Sequence, residues 1–131
     1  MQAPGFVVAA TGLRAEARIA ERTPCVKAIA GGGDETRLAA LIERAIEDGA
    51  RGLISFGLAG ALQRGLEPGA CIVGSAVLFD GNRFATDDAW SARLLDVLPE
   101  ARRETVLGSA RAVGGVDEKA ELHRATGAAI V

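Results

Sequence analysis

The sequence predicts an α/β fold built on a largely parallel sheet, and three observations carry that expectation. Short apolar runs with β-branched residues recur along the chain, and amphipathic stretches separate them. The runs are apolar nearly throughout, as befits strands covered on both faces rather than on one. Glycines gather where the runs end, the place at which a βα unit turns from strand to helix. With 131 residues the chain is read as a single domain over 1–131.

The elements follow in order. "GFVVAA" (5–10) reads as a buried strand and "LRAEARIAER" (13–22) as a helix. "CVKAIA" (25–30) is a second strand, ended by "GGG". The clearest helix is "DETRLAALIERAIED" (34–48): Leu38, Leu41, Ile42, Ala45 and Ile46 make one apolar face, Asp34 can cap its start and Gly49 can close its end. A third strand is expected over 52–56, a short helical turn at "LAGAL", and a fourth strand over 70–79. "DDAWSARLLDVL" (87–98) reads as a helix and "ETVLGSARAV" (104–113) as a strand. "DEKAELHRAT" (117–126) reads as a helix with Asp117 as a possible cap, and "GAAIV" (127–131) as one more strand, apolar to its last residue. An apolar strand at a sheet edge invites pairing with another chain.

Composition narrows the function classes. The net charge of −2 leaves no basic footprint for nucleic acid, and four Phe and one Trp offer no stacking platform. Cys25 and Cys71 sit in apolar runs and read as buried, inert thiols rather than a disulfide framework. The single histidine, His123, has no Cys or His neighbour in sequence, so no metal site is expected. The apolar run near the N-terminus is too short for a signal peptide, and no stretch approaches membrane-spanning length. A cytoplasmic protein is expected.

The segment "LISFGLAGALQRGLEPGACIVG" (53–74) places glycine at 57, 60, 65 and 69 between two buried-looking strands. Ligands of open α/β sheets bind at the carboxyl ends of strands, and Gly57 and Gly60 stand just past such an end. Without a Cβ the backbone there can lie against a ligand, and its amides can point at an anion. Pro68-Gly69 is a turn dipeptide leading into the next strand.

"GLISFGLAGALQRGLEPGACIVGSAV" resembles the strand–turn–strand signature of the purine nucleoside phosphorylase and methylthioadenosine nucleosidase superfamily, which reads roughly Gly-Ser-Ala-Gly-Gly-Leu before a Pro/Val-Gly-Asp turn. "VVAATGLRAEAR" is similar to that family's opening strand and glutamate-bearing loop, and "GSARAVGGVDEKAELHRATGAAIV" to the segment before its Glu/Asp-Met-Glu motif. The wording of "TGLRAEAR", "ISFGLAGAL" and "DEKAELHRATGAAIV" comes closest to the hopanoid-associated phosphorylase branch. The resemblance implies a phosphorylase/hydrolase-like three-layer fold, with a mostly parallel mixed central sheet flanked by helices. It also implies that the chain is C-terminally incomplete, stopping before the motif that grips the ribose and the aspartate that protonates the purine.

By that resemblance the activity is cleavage of a purine N-glycosidic bond, with adenine released from an adenosylhopane-like nucleoside in hopanoid biosynthesis. The reaction builds positive charge on the sugar and negative charge on the leaving base, much as in O-glycoside hydrolysis. Glu16 matches the glutamate that positions the attacking water, and Gly57, Ala59 and Gly60 match the turn against nucleoside and nucleophile. Arg111 and Ala112 match positions lining the base pocket. Leu58 stands where the family usually has a serine, which shifts the anion onto Arg14 or onto backbone amides. Arg111 stands where the nucleosidases often have an aromatic residue. The implied partners are a small-molecule purine nucleoside, inorganic phosphate as co-substrate with no other cofactor, and further copies of the chain in a homo-oligomer.

Other readings are a methylthioadenosine- or adenosylhomocysteine-type nucleosidase, and a truncated, non-catalytic product or partner-dependent half of such an enzyme. On the second of these the 131-residue chain alone is expected to release little or no adenine. A Rossmann-type nucleotide site at "GGGDE" (31–35) is weak, since G-x-G-x-x-G is unmatched and two acids stand where phosphate would go.

Overall fold

A computed structural model describes residues 5–131. Ten elements alternate along it: β1 (Phe6–Thr11), α1 (Arg14–Ala20), β2 (Val26–Ala30), α2 (Glu35–Glu47), β3 (Ala50–Ser55), β4 (Ile72–Phe79), β5 (Asn82–Ala85), α3 (Asp88–Val97), β6 (Arg102–Leu107) and α4 (Val116–Thr126). The α/β expectation holds. The strands lie in two three-stranded sheets, β2-β1-β3 and β5-β4-β6, which belong to two compact units that divide after Leu58.

In the first unit all pairing is parallel, with β1 central: Ala9 faces Ala28 on one side and Ile54 on the other. Val8, Ala9 and Thr11 are buried there. α2 begins where expected, because Asp34 accepts a 2.9 Å bond from the Arg37 amide. It ends at Gly49, whose φ of 96° is open to glycine. The apolar face of α2 is only partly covered. Leu38, Ile42 and Ala45 are half-buried while Ile46 is 62% exposed, since the sheet beneath has only three strands, with alanine at five of their positions. β3 differs from a strand covered on both faces: Ala50, Gly52 and Ile54 are half-buried, whereas Arg51, Leu53 and Ser55 are exposed.

In the second unit β4 pairs in parallel with β6 and antiparallel with β5. β5 has no counterpart in the sequence reading. It is one arm of a hairpin turned by Asp80-Gly81, whose φ angles of 48° and 73° are both positive, as a two-residue primed turn requires. A register shift between Gly74 and Ala76 bulges β4. Beside the bulge the Thr86 hydroxyl lies 2.7 Å from Gly74 O and 3.0 Å from Ser75 O, and the Thr86 amide donates to Ser75 O at 3.2 Å. Asp87 caps α3 through the Trp90 amide at 2.7 Å.

The expected strand over 104–113 is shorter: β6 ends at Leu107 and a loop follows. α4 is capped by Gly115 rather than by Asp117, which falls inside the first turn. The segment "LAGAL" forms no helical turn, because its backbone is drawn into pairing instead. Residues 128–131 make isolated bridges rather than a full strand, and they are not an open edge. Leu62 donates to Ala129 O at 2.8 Å on one side, while Ala129 donates to Thr105 O at 2.9 Å on the other. Ala128 and Ala129 are fully buried, and Leu62, Val73 and Ala76 complete this unit's core. His123 accounts for its own position: Nδ1 is 2.7 Å from the Ala128 carbonyl, which it can reach as a donor.

Both cysteines are exposed, contrary to the sequence expectation. Each precedes a strand instead of lying within it, and Cys25 adopts a φ of 65° in the turn before β2. Among the described residues no helix is long and apolar enough to cross a membrane.

Candidate active site

The carboxyl ends of β1, β2 and β3 bring three loops together in the first unit. The Gly31 amide donates to Thr11 O at 2.8 Å, Gly32 to Gly12 O at 3.2 Å, and Phe56 to Ala10 O at 2.9 Å. Thr11 is buried, and its hydroxyl lies 3.1 Å from Ile29 O and 3.2 Å from Leu13 O, which ties the β1 end to the β2 end.

Glu16 stands at the centre of this arrangement. It is the third residue of α1, so its carboxylate can turn back onto the amides that open the helix. Oε2 accepts from Leu13 N at 2.9 Å and Gly12 N at 3.1 Å, and Oε1 accepts from Leu58 N at 3.0 Å. The reciprocal half of a capping box is missing, because Leu13 has no side-chain oxygen. The carboxylate is buried, with 9% of the residue exposed, which is unlike a solvated helix-face acid. The Leu58 amide, then those of Leu13 and Gly12, hold its pKa below the ordinary glutamate value against the opposing effect of burial. Among the described residues Oε1 accepts from the Leu58 amide alone, and a carboxylate oxygen has two lone-pair directions.

Gly57 is needed for this geometry. A Cβ there would lie 2.7 Å from both Cδ and Oε1 of Glu16. Leu58 contributes its amide alone, and its side chain is 90% exposed. Thus Glu16, Gly57 and Leu58 come together.

Arg14 opens α1, two residues before Glu16. It lines an open concavity of about 370 Å³ with Gly12, Ile29, Gly32, Arg37 and Leu41. Arg37 was missed in the sequence, where it reads only as a polar position on an amphipathic helix.

In the second unit, Ala59 is exposed and Gly60 is engaged twice with Val131, donating to its carbonyl at 2.8 Å and accepting from its amide at 2.9 Å. The expectation that successive amides of this turn point at an anion therefore needs correction. The Leu58 amide is taken by Glu16 and the Gly60 amide by Val131. The Lys119 ammonium lies 3.8 Å from where a Cβ on Gly60 would stand, and its only cue in the sequence is a lysine near the start of α4. Arg111 and Ala112 lie exposed on the loop before α4. The Arg111 guanidinium pairs with Glu118, whose carboxyl that hydrogen bond holds below the ordinary value. Ser109 and Arg111 brace the loop through a 2.6 Å bond from the hydroxyl to the Arg111 carbonyl.

No protein-family model matches the chain, and no curated protein matches it. Among solved structures it is similar to a futalosine hydrolase mutant of Helicobacter pylori strain 26695, with a TM-score of 0.72 and 10% sequence identity. That similarity covers 100% of this chain and 80% of the other. The chain has a futalosine-hydrolase-like α/β fold.

Proposed function

We propose that the chain binds a purine nucleoside and serves cleavage of its N-glycosidic bond, with Glu16 ordering the nucleophile. The carrying observation is the buried Glu16 carboxylate at the strand ends, fixed by three amides, with Oε1 accepting only one bond among the described residues. A carboxylate whose pKa is held down abstracts protons poorly, but it is a strong hydrogen-bond acceptor. It suits a group that aligns a water, or a hydroxyl of the ribose, without taking its proton outright. The sequence resemblance assigns the same residue to positioning the attacking water. The fold is that of a solved protein described as a hydrolase. Adenine as the base, an adenosylhopane-like substrate, phosphate as co-substrate and assembly into a homo-oligomer belong to this same proposal and rest on the sequence resemblance.

The test uses the purified chain with adenosine-type nucleosides, with and without phosphate, reading ligand binding by saturation-transfer NMR and base release by chromatography. The expected result is nucleoside binding with little base release, and weaker binding in Glu16→Gln. Wild-type protein that binds no nucleoside overturns the reading.

A further inference from the structure

Around the start of α1, apolar side chains stay largely exposed. The amides of Leu13 and Leu58 both donate to Glu16, and Ile19 stands one helical turn beyond it. Three apolar side chains therefore spring from the backbone around one carboxylate. Leu13 is 58% exposed, Ile19 53% and Leu58 90%. A single exposed leucine is ordinary on a protein surface, but a group of them marks a contact.

Cations run beside them. Arg14 and Arg18 are neighbours one turn apart on α1, and Arg22 follows in the turn that closes the helix, where its amide donates to Ile19 O at 3.2 Å. All three are exposed, and no guanidinium of the row has a hydrogen-bond or ion-pair partner among the described residues. Of the two acids in this stretch, Glu16 is buried under its amides and Glu21 accepts from the Ala28 amide at 3.3 Å.

The other side of the sheet has the reverse character. β1 leads to β2, and β2 returns past β1 to β3, so right-handed crossovers set α1 and α2 on opposite faces. From Asp34 to Asp48, α2 and its caps carry five acids against two arginines. The first unit is thus cationic and apolar along α1 and anionic along α2.

We propose that the α1 face docks on an anionic lipid surface, with Leu13, Ile19 and Leu58 entering the headgroup layer and Arg18 and Arg22 among the charged headgroups. A convex helix with separate apolar side chains suits a fluid surface, which moulds itself to them. A folded partner would need a matched, closely packed hollow instead. The arginine stems can lie along the acyl boundary while the guanidiniums stay in water. With seven residues, α1 is short, so the docking is weak and reversible.

The test is sedimentation of the purified chain with two kinds of vesicle, phosphatidylcholine alone and phosphatidylcholine mixed with phosphatidylglycerol. Binding is expected to the mixed vesicles only, and added salt weakens it. Arg18→Gln should weaken it about fivefold, the share of one arginine at an anionic surface. Ile19→Ser should weaken it about tenfold through the apolar area kept out of the bilayer. Arg44→Gln, on α2, makes the same change of net charge and should leave binding unaltered. Circular dichroism establishes that each variant is folded. No binding to the mixed vesicles, equal binding to the neutral ones, or binding undiminished in either α1 variant overturns the proposal. Dimerisation in gel filtration that Ile19→Ser abolishes also overturns it, because the face then belongs to a second copy. Nucleoside is absent throughout, so this proposal and the proposed cleavage fail separately.

Discussion

Glu16 and Leu58 are 42 positions apart in the chain, and a 3.0 Å hydrogen bond from the Leu58 amide to Glu16 Oε1 joins them. The same carboxylate caps its own helix through Leu13 and Gly12, so one side chain pins the start of α1 to the end of β3. Any role in binding a nucleophile is superimposed on that structural one.

Substituting Glu16 by Gln should therefore cost stability. The amide group has only one oxygen, so it cannot accept from all three N–H groups in the present geometry. A hydrogen bond to a charged acceptor is worth about 1.5–3 kcal/mol, and with donors on exposed residues the lower end is expected. Urea unfolding should show a lower midpoint for Glu16→Gln at neutral pH. An unchanged midpoint would mean that the three bonds contribute nothing net.

Two glycines beside the carboxylate should respond unequally. Gly57→Ala drives a methyl group to 2.7 Å from Glu16 Oε1 and should destabilise by about 1–3 kcal/mol, as overpacking does. Gly12→Ala puts its methyl at 3.8 Å from Oε2, an ordinary contact, and should stay within about 0.5 kcal/mol of the wild type. Equal effects in paired denaturation curves would refute the Glu16 contact as the cause.

Acid should erase the contribution of Glu16. Its folded-state pKa is depressed below 4.5, so the unfolded state takes up the proton first as pH falls. Its stabilisation is complete above the unfolded value and is lost as pH drops through the folded one. The stability gap between wild type and Glu16→Gln should thus be widest near neutrality and close under acid conditions. Unfolding curves collected across that range would show it, and a gap independent of pH would count against an ionised Glu16.

The bulge in β4 makes a separate prediction. Thr86→Val keeps the shape but removes the hydroxyl that serves the Gly74 and Ser75 carbonyls. A loss of about 1 kcal/mol is expected, with Thr86→Ser recovering most of it. Failure of the serine variant to recover would point to the methyl group, not the hydroxyl, as the useful part.

The sequence shows the βα alternation, the capping role of Asp34 and the glycines at the strand ends, because each rests on local periodicity or turn chemistry. What it hides is decided by distant partners. Nothing local to Glu16 tells that its carboxylate will be buried, since one of its three donors comes from Leu58. Arg14 and Arg37 share a recess only because β1 and β2 are neighbours in the sheet. The β5 hairpin is a different case. Its Asp-Gly turn was present in the sequence, but four exposed residues carry no apolar pattern to draw attention to the strand.

The bridge around residues 128–131 gathers amides from three parts of the chain: Leu62 bonds to Ala129, Ala129 to Thr105, and Leu107 to Ile130. Contacts between segments so far apart in sequence reopen only with much of the surrounding unit. Amide hydrogens of Leu62, Leu107 and Ala129 should therefore exchange with deuterium far more slowly than those of β5, whose residues are all exposed. The middle of this unit, not its hairpin, would set the pace at which it opens.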